Sequence, residues 1–276
     1  MHLRKRLISK LKFGFHTIYR WKQILPDVID EIARAGFEGF ETFSWELNPF
    51  YGREKAFADL LSEKGIQLAS IYTYGRYIRF SGSLSGIRSY YWWRWRSMPR
   101  IIKLAVVCGC KRIVVGGDQR LSRKTKDKDL VEMAKALNEI GKTCKDSGIE
   151  ATYHFFYPGY IVKDKTLLER LCELTDPDLV HLTIDNGHLT WAGIDPLDII
   201  NVYKNRINVI HLKNLKDGEF LEFGEEGTVD FSEIIRLLKS IEYTDWVIID
   251  NESVSTTIFE SASKARKYIE KHLAKE

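Results

Sequence analysis

The sequence predicts an α/β chain folded as one (β/α)8 TIM-type barrel, and three observations predict it. Apolar β-type runs alternate with amphipathic segments about eight times, and such alternation implies parallel pairing. The 276 residues suit a single barrel, a fold that takes about 250. No G-x-G-x-x-G follows the first strand, which argues against a doubly wound dinucleotide-binding sheet. Composition shows no linker, so residues 1–276 are read as one domain.

The strands are expected at 11–17, 37–43, 67–74, 112–118, 150–156, 179–185, 207–213 and 245–250. Between them, "ILPDVIDEIARAGF" (24–37) carries apolar residues at helical spacing and ends in Ala-Gly. Segments 55–66, 130–149 and 231–241 repeat that design. Each stops near a Gly or a polar turn, as helix C-termini do. Residues 75–100 break the regularity as a long aromatic and basic insertion after the third strand, and long loops in compact domains are usually functional. Its "YYWWRWR" (90–96) suits a lid or the contact of a homo-oligomer, because Trp, Tyr and Arg dominate interface hot spots.

Hydrophobic residues make up 44% and charged residues 29%, enough for a large core and against disorder. A net charge of +4 does not by itself imply nucleic acid. Cys108, Cys110, Cys144 and Cys172 are too few for a disulfide framework and lack zinc-ribbon spacing, so a reducing cytoplasm is expected. The start, "MHLRKRLISKLK", is too charged for a signal peptide, and no run approaches a membrane span. A cytoplasmic protein with no membrane partner is expected.

Barrel sites form at the C-terminal ends of the strands. There stand Glu41 on the second, His154 on the fifth, Asp185 and then His188 on the sixth, His211 and Lys213 on the seventh, and Asp250 and Glu252 on the eighth. Burying carboxylates and imidazoles together costs several kcal/mol unless they are paired or bind a metal. A divalent cation offsets that cost, and mixed His and carboxylate donors suit Mn, Co, Zn or Fe. Asp185 is placed to bind metal, and His188 can reach the same cation or a substrate oxygen.

Four motifs carry a family resemblance. "IDNGHLTWAGIDP" (184–196) resembles the D-[TS]-x-H-x-x-x-[AS]-G motif of the xylose isomerase-like barrel superfamily, which holds sugar isomerases and epimerases, inosose dehydratases and endonuclease IV. "VIHLKN" (209–214), "FGEEGTVDF" (223–231) and "IARAGFEGFE" (32–41) are similar to its seventh-strand, G-x-G-x-[VI]-[DN]-[FW] and second-strand signatures, in the right order. The resemblance implies metal ligands at His154, Asp185, His211 and Asp250, with Glu usual in the family at the first and last of these. The implied cofactor is a divalent metal ion, Mn, Co, Zn or Mg.

The expected chemistry is isomerisation or epimerisation of a sugar, keto-sugar or polyol through an enediolate-type intermediate. His154, Asp250 or Glu252 would act as base and Lys213 would stand near substrate oxygens, with His188, Lys213, Glu41, Trp191 and Tyr74 as substrate contacts. Loss of a β-hydroxyl instead gives a dehydratase, the alternative reading. A non-catalytic binding barrel is the third, motivated by the two altered Glu positions. DNA is not expected as a partner, because the chain lacks the further His residues of a trinuclear zinc cluster.

Overall fold

The computed structural model describes residues 11–18, 23–74, 96–116, 126–155, 162–252 and 257–273. The strands are β1 (Lys12–His16), β2 (Gly39–Phe43), β3 (Gln67–Tyr74), β4 (Arg112–Gly116), β5 (Glu150–His154), β6 (Val180–Asp185), β7 (Ile207–Leu212), β8 (Asn214–Lys216), β9 (Glu219–Leu221) and β10 (Trp246–Ile249). Eight of them close a barrel in the order β1-β10-β7-β6-β5-β4-β3-β2, every pair parallel. These are the eight strands read from the sequence. β8 and β9 form a separate antiparallel hairpin after β7. Its turn, Asp217-Gly218, has φ of 53° and 82°, the two positive values that match a hairpin's right-handed twist.

The helices are α1 (Leu25–Arg34), α2 (Glu54–Lys64), α3 (Met98–Val107), α4 (Asp127–Lys145), α5 (Lys165–Leu174), α6 (Asn186–Trp191), α7 (Pro196–Tyr203), α8 (Phe231–Ser240) and α9 (Ile258–Tyr268). Residues 75–95, which hold most of the aromatic insertion, lie outside the described residues. Among the described residues no helix is long and apolar enough to cross a membrane.

The core has two compartments. The larger lies between barrel and helices, where Val28, Ile29 and Ile32 of α1 pack with strand residues such as Phe15 and Phe40. The smaller fills the barrel itself with Phe43, Tyr72, Val114, Val209, Trp246 and Ile248. Trp246 plugs the end where the strands begin; a Cβ on Gly39 would meet its ring at 2.5 Å. Side chains alternate across a strand, so the same inward rows that start with Trp246 and Val209 end in Asp250 and His211. The apolar plug is the floor on which the polar residues stand.

Candidate functional site

The stretch Asp185-Asn186-Gly187-His188 shows how the local chain builds the site. Asp185 ends β6 and caps α6, its Oδ1 accepting the His188 backbone N–H at 2.9 Å. That leaves Oδ2 turned into the barrel without a hydrogen bond. Asn186 grips the next strand reciprocally: its amide donates to the Lys213 carbonyl at 2.9 Å and its Oδ1 accepts the Lys213 N–H at 2.8 Å. Gly187 has no side chain because Lys213 passes over it; a Cβ there would lie 2.8 Å from the Lys213 Cβ. The four residues end a strand, start a helix, fix the neighbouring strand and admit a buried lysine.

Three donors converge. Nitrogens of His154 and His211 and a carboxylate oxygen of Asp185 lie within 4.8 Å of one another, all buried. His154 Nε2 is 3.4 Å and His211 Nδ1 is 3.7 Å from Asp185 Oδ2. Two imidazoles and a carboxylate at this spacing form a donor set for a divalent ion with positions left open. Asp185 Oδ2 and His211 Nδ1 are buried without hydrogen-bond partners, a costly condition that a cation between them relieves. The residues therefore fit the metal that the sequence implies.

Asp250, expected as a fourth ligand, leans elsewhere. Its Oδ2 is 3.5 Å from His211 Nδ1 but 2.9 Å from Lys213 Nζ, and its Oδ1 has no hydrogen bond. Lys213 is 1% exposed, and its Nζ also lies 3.2 Å from Asp185, 3.2 Å from His188 Nε2 and in short contact with Glu252. Glu252 in turn lies 3.2 Å from His188 Nε2. Lys213, His188, Asp250 and Glu252 thus form an acid–base group beside the metal donors.

Charge accounts for the titration behaviour. Burial alone would lower Lys213, but Asp185, Asp250 and Glu252 overcome it and hold its pKa well above the usual lysine value. Burial would raise Asp185, Asp250 and Glu252; the Lys213 ammonium outweighs it and keeps all three below the usual carboxylate range. His154 has weaker support, and burial pulls its imidazole down to about 4. His211 goes the other way: burial opposes its charge, but Glu41, Asp185 and Asp250 raise its pKa well above normal.

The remaining expected contacts fall into two sets. Trp191 is 37% exposed at the mouth; with Phe220 of the β8–β9 hairpin it makes an aromatic corner over His188, ring centroids 5.0 and 5.3 Å apart. Phe220 also lies 5.1 Å from Lys213 Nζ. Glu41 is fully buried, on the strand side of His211. Tyr74 ends β3, and its side chain lies outside the described residues. Tyr72 is described, its O–H 3.4 Å from His154 Nδ1.

Two further residues adjoin the site, His16 and Phe220. His16 ends β1 with 2% exposure and sits 3.3 Å from Glu41. It carries the same signal as the others, a polar residue closing a strand. Phe220 lies on a hairpin whose Asp217-Gly218 turn is a signal the sequence carries.

A family model described as xylose isomerase-like TIM barrel matches residues 29–273. The chain is 32% identical over 164 residues to an inosose dehydratase of Clostridium tetani, and the match spans 52% of this chain and 54% of that protein. An inosose dehydratase of Geobacillus kaustophilus is 27% identical over 278 residues, covering 88% of this chain and 86% of its own length. Among solved structures, the IOLI protein with a bound zinc atom superposes with a TM-score of 0.80 at 15% identity, covering 96% of this chain and 99% of that one.

Proposed function

Because the chain belongs to the xylose isomerase-like TIM barrel family, we propose that it is a divalent-metal-dependent acid–base enzyme that dehydrates a keto-polyol of the inosose type. The observation that carries this reading is the buried Lys213 ammonium, which joins Asp185 of the donor set to Asp250, Glu252 and His188. His154, Asp185 and His211 would hold the metal. When bound, it supplies Lewis-acid polarisation of a substrate carbonyl, which makes the adjacent C–H acidic.

Asp250 is the base. Its Oδ2 is held by Lys213, and its Oδ1 is buried without a hydrogen bond and can accept the α-proton. The electron pair of the broken C–H bond moves toward the carbonyl, and its return expels the β-hydroxyl. That hydroxyl leaves as water with a proton from Lys213 or His188, which Glu252 orients. Base and acid thus both stand on the Lys213 side, which suits a syn elimination. The Trp191–Phe220 corner offers an apolar face to the C–H side of a polyol ring.

A second reading, isomerisation or epimerisation, draws on His154. Its contact with the Tyr72 hydroxyl lies on β5 and β3, across β6 and β7 from Asp250 at the end of β10, so a second proton-transfer pair faces the first. One experiment separates the readings. The protein, loaded with Mn, Co or Zn, is incubated in D2O with keto-inositols and ketoses. Dehydration gives loss of water and new ultraviolet absorbance. Epimerisation gives deuterium in unchanged or epimerised substrate without that absorbance. No metal uptake and no exchange with any substrate would sink both and leave a binding barrel.

A further inference from the structure

Glu41 stands apart from the chemistry just described. Its carboxylate is 0% exposed, and three strands converge on it. From β7, His211 Nε2 approaches Oε1 at 3.0 Å, and from β1, His16 Nε2 approaches the same oxygen at 3.3 Å, both as ion-pair approaches without hydrogen-bond geometry; from β3, the Ser70 hydroxyl donates to Oε2 at 2.5 Å. No group of the Lys213 cluster is among these contacts. The opposite edge of the same His211 ring carries Nδ1, which faces Asp185 Oδ2 at 3.7 Å and Asp250 Oδ2 at 3.5 Å.

An imidazole presents one nitrogen to a metal only if something holds the other. Carboxylates commonly do so, fixing the ring and making it a better donor, and their loss typically costs 10–100-fold in metal affinity. Glu41 is the only carboxylate described near Nε2. We propose that Glu41, steadied by His16 and Ser70, is a positioning residue that holds His211 with Nδ1 toward the Asp185 and His154 donors, so that metal affinity depends on a side chain that touches neither metal nor substrate. The inference rests on the metal reading of the His154–Asp185–His211 cluster and adds a residue from the opposite arc of the barrel.

The test is Co2+ binding by the full chain, read as affinity by competition with a chromogenic chelator and as the visible absorption of the bound ion. Glu41→Gln keeps the size of the side chain and removes its charge. Glu46→Gln is the control: Glu46 is another buried carboxylate of this region, but its Oε2 is held by Thr17 at 2.7 Å and Thr42 at 2.5 Å, with no contact to His211. The expected result is a 10–100-fold loss of affinity with an altered spectrum in E41Q, and parent-like affinity and spectrum in E46Q. Parent-like binding in E41Q, or equal losses in both variants, overturns the proposal. If E41Q does not fold, Ser70→Ala, which removes one hydroxyl from Glu41, is expected to weaken binding several-fold, and parent-like affinity there overturns it instead. A parent protein that binds no divalent ion overturns the metal reading as well, which separates the two failures.

Discussion

Replacing Lys213 with Met is the sharpest perturbation the structure offers. The side chain is 1% exposed, and its ammonium lies 2.9 Å from Asp250 and 3.2 Å from Asp185, with Glu252 closer still. At an effective dielectric of about 20, a unit pair about 3 Å apart is worth roughly 5 kcal/mol before desolvation is counted. Burying the ammonium offsets much of this. What decides the outcome is the state left behind, three carboxylates with no ammonium among them. Removing one partner of a buried pair costs about 3–5 kcal/mol, and in a chain of this size each kcal/mol moves the midpoint by about 2–4 °C. Thermal unfolding of K213M in chelator should therefore show a fall of about 6–20 °C. Saturating Zn2+ or Mn2+ should raise the variant more than the parent, because the ion then meets carboxylates that no longer have an ammonium beside them. A variant that melts within about 2 °C of the parent in chelator would refute the argument, since the ammonium would then not be the counter-charge of this cluster.

Asp250→Asn keeps the shape of the base but cannot take a proton; α-proton exchange measured by NMR in D2O should fall about 10²–10⁴-fold. Gly187→Ala forces the Lys213 stem aside, since a Cβ at 187 lies 2.8 Å from its Cβ and 3.1 Å from its Cγ and Cδ; the expected cost is about 1–3 kcal/mol in urea unfolding, as for an overpacked core. In chelator, stability should also fall on the acid side. Folded His154 stays neutral down to about 4, whereas the unfolded imidazole takes its proton at 6.5. The unfolded state binds the extra proton in that window, so stability drops as pH falls from 6.5 to 4, by up to about 3 kcal/mol. His211, shifted upward, is protonated in both states below 6.5 and adds nothing there. His154→Gln should flatten the slope between 6.5 and about 5, above the range in which the depressed carboxylates Glu41, Asp185, Asp250 and Glu252 add their own loss; an unchanged slope there would assign it to another group.

The barrel and most of the site were legible because both rest on one alternation. A strand whose inward residues are apolar at its start and polar at its end, as in Val209-x-His211 or Ile248-x-Asp250, shows both where it packs and which end faces chemistry. Which carboxylate serves which cation was not legible. Asp250 and Glu252 lie two residues apart, and their chain lengths alone do not say whether they reach a metal or an ammonium. In the structure both lie against Lys213, whose burial depends on Gly187 and on Asn186 holding its backbone across the strands. That is a contact between segments 27 residues apart, and no local pattern encodes it.

The same accounting explains why the mouth of this barrel holds so many acids. Glu41, Asp185, Asp250 and Glu252 are met by a single ammonium among the described residues and by the imidazoles of His16, His154, His188 and His211. Lys213 settles the side of the cluster toward β10. Asp185 Oδ2, 3.2 Å from the same ammonium, and His211 Nδ1 lack hydrogen bonds although fully buried, and Asp250 Oδ1 lacks one too. Each orphaned polar group costs about 1–3 kcal/mol, a cost that a cation held by His154, Asp185 and His211 would lower. Under the proposed function the two arms divide the labour: Lys213 with Asp250, Glu252 and His188 would move protons, and His154, Asp185 and His211 would hold the ion.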